Sequence, residues 1–395
     1  MTNVLPLRPR PGALEFFAGV GLARIGLERA GFDVVWSNDY EPSKHAMYRA
    51  HFGDHPGHEY VVGDIGAVLA ADLPRGARLA WASSPCTDLS LAGTRSGLGG
   101  RESNAFWLWV GLLRGMGENA PEVAVLENVT GLATSHSGDD LRAAIRGLNN
   151  LGYSVDMLAL DARRFLPQSR PRMFLVGAKN PPANTADASE LRPDWTDAFY
   201  ADPSLVMHRA ALAAPPEHLT SGLSDLVDRM PLDDPRWWDA GRTAAFLASL
   251  SRVQRERLAE LRRVSGITCR TAYRRTRGGV AVWEIRADDI SGCLRTARGG
   301  SSKQAVVLID GKRLQVRWMT PVEYARLMGA GDYNLDGARA NQALFAFGDA
   351  VAVPVVEWLA KEYLYPLATG NLRADSPIGA PDLTSWPRLA VDKSG

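Results

Sequence analysis

The fold of this chain is constrained most by an alternation of short apolar runs with helical stretches, which extends from Ala13 to Gly177. This alternation is typical of a parallel sheet covered by helices. Helices are predicted where apolar residues recur at steps of three and four. Strands are predicted at 13–17, 34–37, 79–82, 123–127, 155–160 and 173–176, and helices at 22–30, 105–113, 141–148, 244–263, 321–327 and 351–363. The predicted fold class is therefore α/β.

The composition changes beyond Lys179, where the alternation stops. Residues 181–240 hold eight of the 24 prolines, with 11 acidic and 4 basic residues, and predict an irregular linker or excursion. Residues 252–317 carry 16 basic and 6 acidic residues, a net charge of +10. The predicted division is a catalytic and cofactor-binding domain at 11–180, a smaller irregular domain at 181–290, a returning C-terminal segment at 291–368 and a frayed tail at 369–395.

Charge and cysteine content exclude several classes of protein. The 45 basic and 44 acidic residues give a net charge of +1, which excludes binding driven by a uniform charge. The cysteines Cys86, Cys269 and Cys293 are far apart and form no CxxC pair. Neither a disulfide framework nor a thiolate zinc site is predicted, and a reducing compartment fits best.

Two further patterns concern metals and membranes. Four histidines lie between residues 45 and 58, but Gly53 and Pro56 interrupt any continuous helix there. A surface cluster is therefore expected rather than a metal site. Because no uncharged run approaches the ~18 residues of a membrane span, a soluble, cytoplasmic protein without a membrane partner is expected.

A glycine-containing turn follows the first predicted strand, in LEFFAGVGLARIG at residues 14–26. Such a turn lets backbone approach a ligand at a helix N-terminus. The dinucleotide pattern GxGxxG is not met, because Arg24 stands three positions after Gly21. Asp39 ends the second strand where a ribose would lie, and Asp64 in VVGDIG would face an adenine amino group. A nucleoside without pyrophosphate is indicated; helix caps and turn glycines are the alternative.

Three segments carry possible catalytic chemistry. Cys86, in SSPCTDLSLAG, follows a strand at the end where α/β sheets place their sites, although most lone cysteines are inert small hydrophobes. Glu127, in VLENV, closes an apolar strand, and it is either a catalytic carboxylate or a helix cap or ion-pair partner. The segment QSRPR sets Arg170 and Arg172 two positions apart, so both can face a phosphate or a base edge.

Together these segments resemble the DNA (cytosine-5)-methyltransferase family. The motifs FFAGVG, GDIG, PC, ENV, QSRPR and a C-terminal GDAVAVPVV after MTPVEYARLMG occur in the family order and at similar spacing. The match leaves residues 180–290 almost unmatched, where the family keeps its variable target-recognition region. The resemblance implies an S-adenosylmethionine-dependent, Rossmann-like methyltransferase sheet with a smaller, irregular target-recognition domain.

The resemblance also implies a catalytic set that acts on a flipped-out cytosine. Cys86 would add as a thiolate to carbon 6, which makes carbon 5 nucleophilic. Glu127 would hold ring N3 and the exocyclic amine, and Arg172 would hold O2. Arg170 would brace the catalytic loop or a phosphate, and the loop at 93–103 would close behind the base.

S-adenosylmethionine is the cofactor that the resemblance implies. The residues implied in its binding are Phe17, Gly19, Gly21, Asp39, Tyr40, Asp64, Ile65, Pro85, Asp349 and Val351. Asp349 departs from the family pattern, which has asparagine there. We hypothesise that its carboxylate favours a positive group of the cofactor, either the amino group or the sulfonium. Weaker binding of the normal cofactor and acceptance of a modified one are the alternatives.

Double-stranded DNA is the substrate that the resemblance implies. The arginine-rich segments RTAYRRTRGG and RTARGG can neutralise phosphates or read guanine, although a solvated face has the same pattern. The predicted DNA contacts are Arg270, Arg274, Arg275, Arg277, Arg295 and Arg298. The alternatives are a transfer-RNA cytosine methyltransferase, since one family branch acts on RNA, and a catalytically silent DNA-binding regulator on this fold. A nucleoid-associated monomer is expected, with any cognate restriction enzyme acting separately.

Overall fold

The computed structural model describes residues 10–85, 104–185, 189–295 and 303–372. The strands of its larger sheet are β1 Gly12–Phe16, β2 Asp33–Asp39, β3 Glu59–Val62, β4 Leu79–Ala82, β5 Val123–Asn128, β6 Ser154–Asp161 and β7 Pro171–Ala178. They pair in the order β3-β2-β1-β4-β5-β7-β6. The six strands predicted for this part of the chain are confirmed, with small differences at their ends.

Two features of this sheet differ from the predicted parallel sheet. Strand β3 was not predicted, because it is a short edge strand whose residues are partly or fully exposed, so its apolar pattern is weak. Strand β7 runs antiparallel to both β5 and β6. The connection between β6 and β7 is too short for a parallel crossover, so the two strands form an antiparallel pair.

Helices and their side chains fill both faces of the sheet. In chain order the helices are α1 Leu22–Arg29, α2 Pro42–Phe52, α3 Asn104–Met116, α4 Asp139–Asn149, α5 Asp197–Tyr200, α6 Leu223–Leu226, α7 Ala240–Ala248, α8 Arg252–Leu261, α9 Pro321–Leu327, α10 Ala340–Asp349, α11 Val353–Leu359 and α12 Tyr365–Ala368. A Cβ on Gly26 of α1 would lie 2.6 Å from Val356 Cβ of α11. The C-terminal helix therefore packs against the helix of the first motif, as expected.

A smaller antiparallel sheet stands beside the larger one. Its strands are β8 Thr268–Arg277, β9 Val280–Ile285, β10 Ala305–Asp310 and β11 Arg313–Trp318, in the order β11-β10-β8-β9. Alternate residues of β10 face opposite ways: Val306 and Leu308 join the core of the larger unit, whereas Val307 and Ile309 pack with residues of α7 and α8. Strand β10 is thus buried on both faces, whereas the far end of the β8–β9 hairpin is exposed.

The packing does not follow the predicted division at residues 180 and 290. Arg192 lies 2.6 Å from the buried carboxylate of Asp156 in β6, so the irregular segment after residue 189 covers the larger sheet. The smaller sheet takes strands from both sides of residue 290. The predicted helix at 244–263 is two helices, because Ser251 caps α8 by accepting a hydrogen bond from the Gln254 N–H.

Within the described residues, one helical stretch, Ala340–Ala368, is long and apolar enough to cross a membrane by length and composition. Most of it is buried inside the protein, where it packs in the core of the larger unit.

Candidate active site

The register of the larger sheet brings the ends of several strands level. Phe16 pairs with Asn38 of β2 and with Ala82 of β4, and Ala82 pairs with Leu126 of β5. These strands are parallel, so FAGVG, Asp39, the residues Ser83 to Pro85 and ENV leave the sheet at one edge. QSRPR precedes the antiparallel β7 and therefore lies at the same edge. Ligand sites of open α/β sheets form at this edge.

The turn after β1 has backbone conformations that few residues adopt. Gly19 and Gly21 have φ angles of 56° and 76°, and Phe17 has φ of 59° despite its side chain. A Cβ on Gly21 would lie 2.6 Å from the rings of Tyr48 and Phe52, so only glycine fits there. Non-glycine residues in this region of φ carry strain that proteins retain mainly at functional sites.

Asp39 ends β2 beside this turn. Its Oδ2 accepts a hydrogen bond from the Gly19 N–H at 2.9 Å, and its Oδ1 accepts one from the Glu41 N–H at 3.0 Å. Burial raises the pKa of Asp39, although Lys44 and the two N–H groups act to lower it. The adjacent Tyr40 is 58% exposed. A carboxylate and an open aromatic ring at a glycine turn fit the ribose and adenine of a nucleoside cofactor.

Three other residues predicted to bind cofactor are less available than expected. Ile65 and Val351 are 5% and 4% exposed, and both side chains pack in the core, so a ligand would meet mainly their backbone. Asp64 is exposed, but its Oδ1 already accepts a hydrogen bond from the Gly66 N–H at 2.7 Å. It therefore caps the short turn Ile65–Ala67.

Glu127 and Arg172, predicted to hold a base, are in direct contact. Arg172 Nε lies 2.9 Å from Glu127 Oε1, and the two side chains are 14% and 8% exposed. They meet because β5 and β7 are antiparallel, so the end of one strand lies beside the start of the other. A carboxylate beside a guanidinium offers acceptors and donors to the polar edge of a planar ligand.

The segment after β4 is held against β5. Asn128 donates from Nδ2 to Ser84 Oγ at 3.2 Å and to the Ser84 carbonyl at 3.4 Å. Pro85 follows and is partly buried. Cys86, the predicted nucleophile, is the next residue of the chain, and both it and the predicted loop at 93–103 lie outside the described residues.

Arg170 is buried, which excludes the phosphate contact that was one of its two expected roles. It is 1% exposed, and burial lowers its pKa. Its Nη1 donates to the Leu294 carbonyl at 2.7 Å, and its Nη2 donates to the carbonyls of Gly348 and Ala350 at 3.0 and 2.5 Å. Arg170 is therefore a positioning residue that ties QSRPR to two distant segments.

Two residues at this edge were not predicted from the sequence. The Sγ of Cys293 lies 3.4 Å from Arg170 Nη1. Burial acts to raise the pKa of this thiol, but Arg170 and two neighbouring arginines outweigh it and lower the pKa. Lys44 Nζ lies 3.2 Å from Asp349 Oδ2. A single cysteine or lysine outside a motif carries no signal in a sequence, so only its neighbours in the fold reveal it.

The predicted DNA-contacting arginines lie mainly on the hairpin of β8 and β9. Arg274, Arg275 and Arg277 are exposed. Arg275 and Arg277 share Glu284, at 3.4 and 2.7 Å, which partly neutralises the hairpin. Arg295 is also exposed.

The two remaining predicted DNA contacts, Arg270 and Arg298, are not confirmed as exposed arginines. The Arg270 side chain is 12% exposed, lies 3.4 Å from Asp289 and donates to the carbonyls of Cys269 and Ala287. Its guanidinium is satisfied internally, so we remove it from the predicted DNA contacts. Arg298 lies outside the described residues.

The expected surface cluster of histidines is found in part, because His45, His55 and His58 line one open pocket. His55 is exposed, but His51 stacks on Tyr333 with ring centroids 4.2 Å apart, and His58 Nε2 lies 2.9 Å from Tyr48 Oη. His51 and His58 belong to a partly buried aromatic network behind the glycine turn. The described part of the chain contains no group of histidine, cysteine or acidic residues suited to a metal ion.

The fold and the site together define a protein of the Rossmann-like methyltransferase class. The model of the C-5 cytosine-specific DNA methylase family matches residues 12–364, and the chain belongs to that family.

Individual relatives agree with this assignment. The type II methyltransferase M.HhaI of Haemophilus parahaemolyticus is 26% identical over 350 residues, which cover 88% of this chain and 92% of that protein. M.Bsp6I of a Bacillus species is 32% identical over 169 residues, 42% of this chain, and M.NgoBI of Neisseria gonorrhoeae is 33% identical over 165 residues. The chain spans about half the length of these last two proteins, 51% and 49%.

Solved structures show the same fold. The Dnmt2 methyltransferase of S. pombe has a TM-score of 0.57 and 18% identity, with 91% of this chain and 99% of that chain covered. The methyltransferase EhMeth of Entamoeba histolytica has a TM-score of 0.60 and 14% identity, with 93% and 100% covered.

Proposed function

We propose that this protein transfers a methyl group from S-adenosylmethionine to carbon 5 of a cytosine flipped out of double-stranded DNA. The observation that carries the proposal is the contact between Glu127 and Arg172 at the edge where the glycine turn and Asp39 fit a nucleoside. Bound S-adenosylmethionine supplies an electrophilic methyl group there. We also propose that the protein acts as a monomer, separately from any restriction enzyme of the same specificity.

Glu127 and Arg172 would recognise the polar edge of the base. The Glu127 carboxylate accepts a hydrogen bond from the exocyclic amine of cytosine and holds a proton at ring N3. Arg172 donates to O2. Because each side chain orients the other at 2.9 Å before a base arrives, little rotational entropy remains to be lost when it binds.

Cys86 would supply the nucleophile. Its thiolate forms a bond to carbon 6, and the ring electrons move to carbon 5, which takes the methyl group. Loss of the carbon 5 proton then breaks the bond to sulfur and releases the thiolate. The reacting atoms are inaccessible in a duplex, so the base must leave the stack at a cost of a few kcal/mol.

The smaller unit would contact the DNA around the target base. The exposed Arg274, Arg275 and Arg277 lie on one hairpin, which provides positive charge on a surface rather than in a core. The predicted target-recognition region at 181–290 includes this hairpin, and its two remaining sheet strands come from residues 305–318. We therefore extend the proposed recognition region to residue 318.

Incubation with labelled S-adenosylmethionine and either duplex DNA or transfer RNA tests the proposal. Wild-type protein should label DNA, Cys86→Ala should label neither, and Glu127→Gln should label DNA much more slowly while still binding cofactor. Cys269→Ala is the matched control, because it removes the same thiol from a buried position in β8. Label in RNA but not DNA would refute the substrate, and cofactor binding without any transfer would favour the silent regulator.

A further inference from the structure

A lysine stands beside the proposed cofactor edge, in contact with the aspartate that departs from the family pattern. Lys44 Nζ in α2 lies 3.2 Å from Asp349 Oδ2 at the end of α10. The Lys44 side chain is 11% exposed and that of Asp349 is 42% exposed. The lysine is therefore enclosed by protein, whereas the aspartate is open to a ligand.

Lys44 also lies against the glycine turn. A Cβ built on Gly19 would lie 3.8 Å from Lys44 Cδ and 4.0 Å from Asp39 Oδ2. The lysine stem thus passes the turn next to the carboxylate that suits a ribose. Burial acts to lower the pKa of Lys44, but Asp349, Asp39 and Glu41 outweigh it and raise the pKa. The ammonium therefore remains charged at this edge.

We propose that Lys44 and Asp349 form a clamp for the zwitterionic end of an aminoacyl nucleoside, with Lys44 holding the carboxylate and Asp349 holding the ammonium group. The inference rests on the proposed function, which makes S-adenosylmethionine the ligand. An α-amino acid carries these two charged groups on one carbon atom, and the clamp carries the opposite two charges at 3.2 Å. Binding exchanges one ion pair for two, so the enclosed Lys44 ammonium keeps a partner of opposite charge.

The clamp would select ligands by their aminoacyl end. A nucleoside such as 5′-methylthioadenosine has the adenine, ribose and sulfur but neither charge, so it leaves the Lys44–Asp349 pair intact. S-adenosylhomocysteine has both charges and engages both residues. The clamp therefore contributes to the affinity for S-adenosylhomocysteine and not to the affinity for 5′-methylthioadenosine.

Calorimetric titration of the full chain with these two ligands tests the clamp. Wild-type protein should bind S-adenosylhomocysteine more tightly than 5′-methylthioadenosine. Lys44→Met and Asp349→Asn should each lower the affinity for S-adenosylhomocysteine by about tenfold or more, as expected for a lost charge-assisted hydrogen bond. Each should change the affinity for 5′-methylthioadenosine by less than about twofold. Lys361→Met is the control, because it removes a lysine from a different ion pair, in which its Nζ lies 2.7 Å from Glu357 Oε1.

A charge swap separates the clamp from a structural ion pair. The double variant Lys44→Asp/Asp349→Lys retains an attractive pair with its charges exchanged, and its melting temperature reports whether it folds. Recovery of wild-type affinity for S-adenosylhomocysteine in the swap would overturn the clamp, as would equal losses for both ligands in Lys44→Met.

Failure of the proposed function gives a different result. If wild-type protein binds neither ligand, the cofactor assignment fails and the clamp fails with it. If wild-type protein methylates DNA but binds both ligands with equal affinity, the clamp alone is refuted.

Discussion

Arg170→Met removes the buried connection between three segments of the site. Methionine keeps the apolar stem of arginine but donates no hydrogen bond, so the carbonyls of Leu294, Gly348 and Ala350 lose the guanidinium donors. Each buried carbonyl left without a hydrogen bond costs about 1–3 kcal/mol. The variant no longer buries a guanidinium charge, and this saving in desolvation free energy offsets part of the cost of the three carbonyls. We expect the free energy of unfolding to fall by about 3–5 kcal/mol.

Urea unfolding followed by tryptophan fluorescence measures this loss. Arg170→Lys should lie between wild type and Arg170→Met, because one ammonium reaches fewer of the carbonyls. Arg164→Met is the matched control: Arg164 is 9% exposed, and it donates to Pro216 and to Glu190, whose side chain is 71% exposed. An Arg170→Met loss no larger than that of the control, or within about 0.5 kcal/mol of zero, would refute the reasoning.

Three further outcomes are expected. Gly21→Ala should destabilise the protein by about 1–3 kcal/mol and weaken the binding of S-adenosylhomocysteine, because its Cβ would overlap an aromatic ring of α2. Gly152→Ala, at φ 85° in the turn after α4 and with nothing within 4 Å of its Cβ, isolates the backbone contribution in the same thermal melts. Charge reversal at Arg274 and Arg275 should lower the affinity for duplex DNA without changing the affinity for cofactor. The slope of log affinity against log salt concentration should become shallower by about one per lost phosphate contact, and an unchanged slope contradicts the prediction. Burial raises the pKa of Glu15 from 4.5 to about 8, so the folded state binds this proton more strongly and loses stability as pH rises through that range. In Glu15→Gln the free energy of unfolding should decrease less over this pH range than in wild type. An equal decrease in the two proteins would contradict the prediction.

The strands and motifs of the larger sheet could be predicted because their signals are local. An apolar run such as 123–127 identifies a buried strand whatever it pairs with, and the positive φ of Gly19 and Gly21 is a property of one turn. The carboxyl edge of a parallel sheet then brings the motifs together without further information.

One error was local, and the others arose where contacts between distant residues decide the outcome. The predicted helix at 244–263 breaks because Ser251 offers a cap that competes with helix continuation. Arg270 has the same side chain as the exposed Arg274, and only the position of Asp289 makes it an internal residue. The division at residue 290 follows composition, whereas β10 joins β8 across it.

The sequence alone determined the α/β class, the order of the motifs and the identity of the residues at the sheet edge, because apolar periodicity and turn chemistry depend on near neighbours. Only the tertiary structure decided that Arg172 contacts Glu127, that Arg170 is a buried tie and that Lys44 meets Asp349. These contacts depend on the antiparallel insertion of β7 and the return of the C-terminal helices. Both bring together residues that are far apart in the chain, and no local pattern encodes the distance between them.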